Sequence, residues 1–233
     1  SKEAYLEGLA KLYFQFVSND LTDMQPMDGG ASELIRAFWS VQETTTDEAK
    51  CSWENDAWVR ALNTNTWTGV QNDAIYAVYV RTLQGVAFVN EYLRQTTPDK
   101  LAARGVDESL AAKISTFRAE ARFIRAVSYF SLVRMYGDIP VHTAAVTSEE
   151  ATNTPRMPYT KVYEQILTDL EFAEEKMRVS LSAFLTIILL SLYSTSPPTL
   201  FTVSFERYFI PSSPLLPSLS WPNITMASSS VRY

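Results

Sequence analysis

The chain has 233 residues, 46% hydrophobic and 12% aromatic, a composition typical of a globular protein long enough to bury a core. Its formal net charge of −6 would repel a phosphate backbone unless the basic residues were gathered on one face, so nucleic acid is not an expected partner. Cys51 is the only cysteine, which excludes an internal disulfide and a cysteine-based metal site, and His142 is the only histidine, so we expect no metal and no cofactor.

Two amphipathic patterns predict the first helices. They are "EAYLEGLAKLYFQFV" (3–17) and "ASELIRAFWSVQ" (31–42), in which apolar residues recur at helical spacing. Each helix is expected to cover a core with one face. The predicted apolar faces are Ala4, Leu6, Leu9, Leu12, Tyr13 and Phe16 in the first helix, and Leu34, Ile35, Phe38 and Val41 in the second.

The next segment, "ETTTDEAKCSWENDAWVRALNTNTWTG" (43–69), has no clean period and is rich in Thr, Asn and Trp. We predict a long loop here. Long loops in compact domains often carry function, which makes this segment the first place to look for a site.

Three longer helices are predicted in the rest of the globular part. The segment 74–95, nearly continuously apolar from Ala74 to Val89, predicts a buried helix, and 107–136 predicts a second one that begins after Asp107 as N-cap and stops at Gly137. The segment 159–177 predicts a third. Its apolar positions follow one another at steps of four, four and three: Val162, Ile166, Leu170 and Ala173.

Between the last two helices, "IPVHTAAVTSEEATNTPRMP" (139–158) is a second long connection, which Pro155 and Pro158 keep extended. We expect almost no β-strand anywhere, so the predicted fold class is all-α. No clean 34-residue period is present, so any helical repeat is degenerate.

The helix at 107–136 carries Arg118, Arg122 and Arg125 at steps of four and three, which places them in one stripe. Such a stripe needs acidic partners, and we favour ion pairs with the last helix over ligand binding. Ala119, Ala121 and Ala126 lie off the stripe and allow close helix packing, as in helical-repeat scaffolds. The candidate acidic partners are Asp169, Glu171, Glu174 and Glu175.

The composition changes near residue 179. Residues 1–179 contain 25 acidic and 18 basic residues. In contrast, the charged residues of 180–233 are only Glu206, Arg207 and Arg232, and that segment is rich in Ser and Pro. Pro-rich tracts prevent regular helix, so we predict two parts: a helical domain at 1–179 and an irregular tail at 180–233.

One stretch carries a family resemblance. "FRAEARFIRAVSYFSLVRMYGDIPV" (117–141) resembles the signature helix of the SusD/RagB family of outer-membrane, starch-binding-like lipoproteins. "ELIRAFWSVQETTTDEAKCSW" (33–53) is similar to the family's early helix and its Thr-Asp-Glu-Ala loop, and "PRMPYTKVYEQILTDLEFAEEKM" (155–177) to its linker and Asp-Leu helix. The resemblance extends over about residues 1–179.

The resemblance implies a scaffold of tetratricopeptide-like helix pairs with long loops. The protein that it implies is not an enzyme. It is a cell-surface protein that captures oligosaccharides and passes them to a SusC-like TonB-dependent transporter. It also implies an outer-membrane location through a lipid anchor. Cys51 lies too deep to be the lipidated cysteine, so we expect the chain to begin downstream of that anchor and its signal.

The resemblance stops after Met177, where the family continues with further helices and this chain has its Ser- and Pro-rich tail. We therefore expect a truncated form. A shift of reading frame or a disordered segment would each explain the tail at 180–233.

The loop at 43–69 supplies what a sugar ligand needs. Tryptophan rings stack on the apolar C–H faces of sugars, while amides and guanidinium groups bind their hydroxyls. Any one of these tryptophans could instead anchor the loop to the core. The candidate ligand-binding residues are Trp53, Trp58, Trp67, Arg60, Asn63 and Asn65.

Two other functions stay open from the residues alone. A glycoside hydrolase would need two carboxylates, and Asp47 and Glu48 are the only appealing pair in the loop, although adjacent side chains usually diverge. A helical-repeat adaptor that docks a protein partner without binding a glycan is the second alternative.

Overall fold

The computed structural model describes residues 1–18, 33–68 and 72–177. No β-strand occurs in these ranges, where an isolated antiparallel bridge joins Ile139 to Met157. The all-α class is therefore confirmed. The described helices are α1 (Lys2–Phe14), α2 (Leu34–Glu43), α3 (Ala57–Asn63), α4 (Asp73–Gln95), α5 (Pro98–Ala103), α6 (Glu108–Tyr136), α7 (Ser148–Asn153) and α8 (Tyr159–Met177).

The chain divides into two units, Ser1–Ser180 and Leu181–Tyr233, and every described residue belongs to the first. The predicted irregular tail at 180–233 lies outside the described residues. Within them, no helix combines the length and the hydropathy that crossing a bilayer requires.

Helix α6 is the centre of the fold, and it packs against α1, α4 and α8. It begins where predicted, because the Asp107 carboxylate accepts a hydrogen bond from the Leu110 N–H at 2.9 Å. It ends at Gly137, whose φ of 68° is left-handed backbone that glycine adopts without a steric penalty. Both predicted ends of this helix are confirmed.

The core forms where α4, α6 and α8 meet. Ala119, Ala121 and Ala126 are all buried, so their small side chains let neighbouring helices approach α6 closely. The Asn72 side chain caps α4 by accepting hydrogen bonds from the second and third N–H groups of that helix. The largest described cluster of buried residues comprises Val86, Ala126, Tyr129, Leu132, Val133, Ile139, Val162 and Ile166.

The predicted faces of α1 and α2 are only partly right. Leu9 and Leu12 of α1 are buried, but Leu6 is about half exposed. In α2 the inner face is rotated from the predicted one, since Ala37 is buried and Ile35 is exposed. The sequence spacing permitted either face, and contact of α2 with α4 decides between them.

The arginine stripe forms ion pairs in two of its three members. Arg125 binds the buried Asp169 with two hydrogen bonds of 2.7 and 2.8 Å, and Arg122 lies 3.6 Å from the same carboxylate. The prediction of an ion pair is wrong for Arg118, which donates instead to the Leu93 carbonyl at 2.6 Å and the Thr96 hydroxyl at 2.9 Å. Carbonyls at a helix C-terminus lack helical partners and attract cations, and α4 ends beside Arg118.

Three short helices were not predicted. The loops predicted at 43–69 and 139–158 contain α3 and α7, and α5 lies between two predicted helices. Helix α3 forms because Val59 and Leu62, three residues apart, are both buried. Helix α7 starts with a complete capping box between Thr147 and Glu150.

Candidate functional site

The Trp-rich segment, residues 51–68, follows α2 and contains α3. Its beginning is tied to the end of α3 by one side chain. The Asn63 amide donates to the Cys51 carbonyl at 2.8 Å, and the Asn63 carbonyl oxygen accepts from the Cys51 N–H at 3.1 Å. Both polar atoms of the predicted ligand residue Asn63 are therefore engaged in joining the start of the segment to the end of α3.

Helix α3 ends in a Schellman motif at Asn65. The Thr66 N–H donates to the Ala61 carbonyl and the Asn65 N–H to the Leu62 carbonyl, at 3.0 and 3.1 Å. Asn65 has a φ of 52°, a left-handed conformation that Asn tolerates better than most side chains. This backbone turn directs the chain toward Trp67, and it explains an Asn here without any ligand.

Trp58 anchors the segment to the helical core. Its side chain is half-buried and packs with Leu62, Ala74 and Ala77. Its backbone carbonyl accepts a hydrogen bond from the Asn72 side chain at 3.1 Å, so α3 is joined to the start of α4. For Trp58 the structure favours the anchoring alternative.

Trp53 and Trp67 are different, because they are 46% and 43% exposed. The Arg36 guanidinium of α2 lies 4.8 Å from the centre of a Trp53 ring, a cation–π distance. Arg60 is exposed and donates to the backbone carbonyl of Glu54, the residue after Trp53. Its guanidinium has further N–H groups that can donate at this position.

Sequence reasoning missed Arg36 and Trp39. Trp39 lies on α2, is 51% exposed and follows Arg36 by three residues, so the two share one side of that helix. The available signal was a tryptophan outside the predicted apolar face of a surface helix.

This arrangement has the chemistry to bind a polar ligand with flat apolar faces. Two exposed indole rings offer stacking surfaces, and two guanidinium groups, that of Arg36 over Trp53 and that of Arg60 in the same segment, offer hydrogen-bond donors. Asp47 and Glu48, the carboxylates that a hydrolase would need, are both exposed in the turn after α2. No group of three potential metal ligands occurs in the described part of the chain.

The fold and this surface define a class: a helical scaffold that presents an aromatic and polar loop. Residues 20–183 match the SusD-like family, described as starch-binding and associating with the outer membrane. The match covers more than half of the chain, and the chain belongs to the SusD-like family. The predicted family is therefore confirmed.

Individual SusD-like proteins are similar to parts of this chain. The chain is 41% identical over 64 residues to SusD-like protein P2 of Formosa agariphila, covering 27% of this chain and 13% of that protein. It is 27% identical over 118 residues to the starch-binding protein SusD of Bacteroides thetaiotaomicron, covering 51% and 19%. Among solved structures, surface glycan-binding protein A of Bacteroides fluxus has a similar fold, with a TM-score of 0.54 at 18% identity, covering 76% of this chain and 34% of that one. The chain thus matches about a third or less of the length of these proteins.

Proposed function

We propose that this protein binds an oligosaccharide at the cell surface through the exposed aromatic side chains of the Trp-rich segment. The observation that carries the proposal is the pair of half-exposed tryptophans, Trp53 and Trp67, on a segment whose start Asn63 ties to the end of α3. A large apolar ring left in water stabilises no core. It can stack on the C–H face of a sugar, which is a geometry that indole rings favour.

The six predicted ligand residues divide into two roles in this proposal. Trp53, Trp67 and Arg60 contact the sugar, joined by Arg36 and Trp39 of α2. The other three, Trp58, Asn63 and Asn65, hold the segment in shape through core packing, backbone hydrogen bonds and the left-handed turn. A preformed loop loses little conformational entropy when a ligand binds, so the positioning residues also support affinity.

The family membership supports the finer parts of the proposal. Residues 20–183 match a family described as associating with the outer membrane, and we propose that the protein works there beside a SusC-like transporter that receives the sugar. The protein would act by capture and release, without catalysis. Incubation of the chain with the captured sugar should therefore release no reducing ends.

Affinity electrophoresis tests the binding proposal. The protein is run through native gels that contain soluble starch, a β-glucan or no polysaccharide, beside Trp53→Ala, Trp67→Ala and the control Tyr159→Ala. Tyr159 is also an exposed aromatic residue, but it lies at the start of α8. We expect at least one polysaccharide to retard the parent and the control, and each tryptophan variant to bind about tenfold more weakly.

Retardation of all four proteins to the same extent would place binding elsewhere and overturn the assignment of Trp53 and Trp67. No retardation by any polysaccharide, with the helical circular dichroism of the parent intact, would overturn glycan capture by this chain. Stable co-purification with a protein partner in that case would support the adaptor alternative.

A further inference from the structure

A cavity of about 520 Å³ opens between α4 and the segment 140–156, apart from the residues proposed for glycan binding. Its volume is in the range of small-molecule sites, about 300 to 1,000 Å³. Its floor is one face of α4, where Tyr79, Leu83, Val86 and Ala87 are spaced by four, three and one residues. The facing apolar side chains are Pro140, Val146 and Ala151.

The wall opposite α4 is held in place by buried polar side chains. Three of them donate to backbone carbonyls of residues 142–144. The His142 carbonyl accepts from Tyr129 at 2.8 Å and from Asn90 at 2.9 Å. Asn90 also donates to the Ala144 carbonyl at 3.1 Å, and Arg125 donates to the Thr143 carbonyl at 2.8 Å. Arg125 is itself fixed by Asp169. The cavity is therefore preformed by the same network that joins α6 to α8.

Three of the hydroxyl groups that line the cavity have their protons committed. Thr147 donates to the Glu150 carboxylate at 3.0 Å, Thr152 to the Ser148 carbonyl at 2.8 Å, and Thr154 to the Glu150 carbonyl at 2.7 Å. A sugar needs both donors and acceptors for its many hydroxyls. Donation from these three groups to such a ligand would break bonds within α7 and at its ends, which disfavours a second sugar site here.

Arg156 supplies the charged donor group of the cavity. It is exposed at the rim and carries the only formal charge among the described lining residues, since no carboxylate lines the cavity. It forms no ion pair within the described ranges. A guanidinium binds a carboxylate with two parallel hydrogen bonds, so this rim matches an anionic head group.

We propose that the cavity is a binding site for a small amphipathic carboxylate. The apolar body of the ligand lies on Tyr79, Leu83 and Ala87 of α4, and its carboxylate pairs with Arg156. This site is independent of the proposed glycan surface, because none of its lining residues belongs to the Trp-rich segment or to α2.

The test uses octanoate and, as its uncharged match, octanamide. Each is titrated into the full chain with labelled methyl groups, and the nuclear magnetic resonance signals of Leu83 and Ala87 are followed. We expect saturable shifts with octanoate and binding about fivefold weaker with octanamide. Arg156→Gln should weaken octanoate about fivefold as well. Lys113→Gln, which removes an exposed cation from α6, should not.

A second variant tests the location. Ala151 is exposed on α7, so Ala151→Trp should fill the cavity without disturbing the core and should abolish the methyl shifts. The Trp53→Ala and Trp67→Ala variants should bind octanoate as the parent does. Equal affinity for octanoate and octanamide would overturn the carboxylate assignment, and absent shifts or full binding by Ala151→Trp would overturn the site.

Discussion

Arg125 and Asp169 are 1% and 0% exposed and form a bidentate pair between α6 and α8. Arg125→Met would leave the Asp169 carboxylate buried without its main partner, and the Thr143 carbonyl without a donor. Breaking one side of a buried pair costs about 3 to 5 kcal/mol, so we expect a loss of that size in the free energy of unfolding, measured by urea denaturation.

The control is Lys161→Met, which breaks an exposed pair with Glu164 and should cost less than about 1 kcal/mol. Equal losses for the two variants would contradict the structural role given to Arg125. The sequence indicated ion pairing from the spacing of the arginines. It could not show that Asp169 receives two of them, because that depends on how α8 lies against α6.

Asn65 provides a test of backbone conformation. Its φ of 52° suits Asn or Gly and is strained for a β-branched residue. We expect Asn65→Val to destabilise the protein by about 1 to 2 kcal/mol and Asn65→Gly to change stability by less than about 0.5 kcal/mol, both by thermal unfolding. Loss of glycan binding in a fully stable Asn65→Gly variant would show that the amide contacts the ligand, against the positioning role.

Glu120 provides a pH-dependent test. Burial raises the pKa of its carboxyl group above the usual 4.5, and a hydrogen bond from the Tyr13 hydroxyl at 2.8 Å offsets part of the rise. Above pH 4.5 the unfolded chain releases this proton before the folded chain does, so stability falls as pH rises through the raised pKa. Glu120→Gln keeps an acceptor for Tyr13 and should remove that fall in a series of unfolding curves. If the pH profile of stability were the same in Glu120→Gln as in the parent, the raised pKa of Glu120 would be contradicted.

At the scale of elements, α1 and α4 approach each other at Gly85. A Cβ atom there would overlap the Gln15 side chain, and Gln15 is only 8% exposed. Gly85→Ala must therefore displace Gln15, and we expect it to cost about 1 to 3 kcal/mol in unfolding free energy. Adding Gln15→Ala should recover most of the loss. If the double variant recovered no stability, the loss would come from the backbone of α4 and not from the contact with Gln15.

The length of an element decided how well the sequence predicted it. The helices at Asp73–Gln95, Glu108–Tyr136 and Tyr159–Met177 were predicted to within a residue or two, because each repeats its apolar pattern over several turns. The helices of six or seven residues were missed, since one or two turns give too little pattern to separate helix from loop. Contacts with the core, such as that of Val59 in α3, stabilise them.

For the whole molecule, the family and the helical scaffold were predictable because the motif at 117–141 is long and specific. The division of the site residues into those that face solvent and those that anchor the segment was not predictable. Trp67 stands in a more polar stretch than Trp58, but only the folded structure shows that Trp58 packs on Ala74 and Ala77 while Trp67 faces solvent. Arg36 enters the site because α2 presents it to Trp53, a tertiary contact that sequence spacing does not contain.

The most direct test of the central proposal is calorimetric titration of the retarding polysaccharide into the parent and into the Trp53→Ala, Trp67→Ala double variant. Circular dichroism of both proteins controls for folding. We predict saturable binding by the parent and none by a double variant of unchanged helical content, because both exposed stacking surfaces are gone. Parent-like affinity in the double variant would contradict the account and place sugar recognition outside the Trp-rich segment.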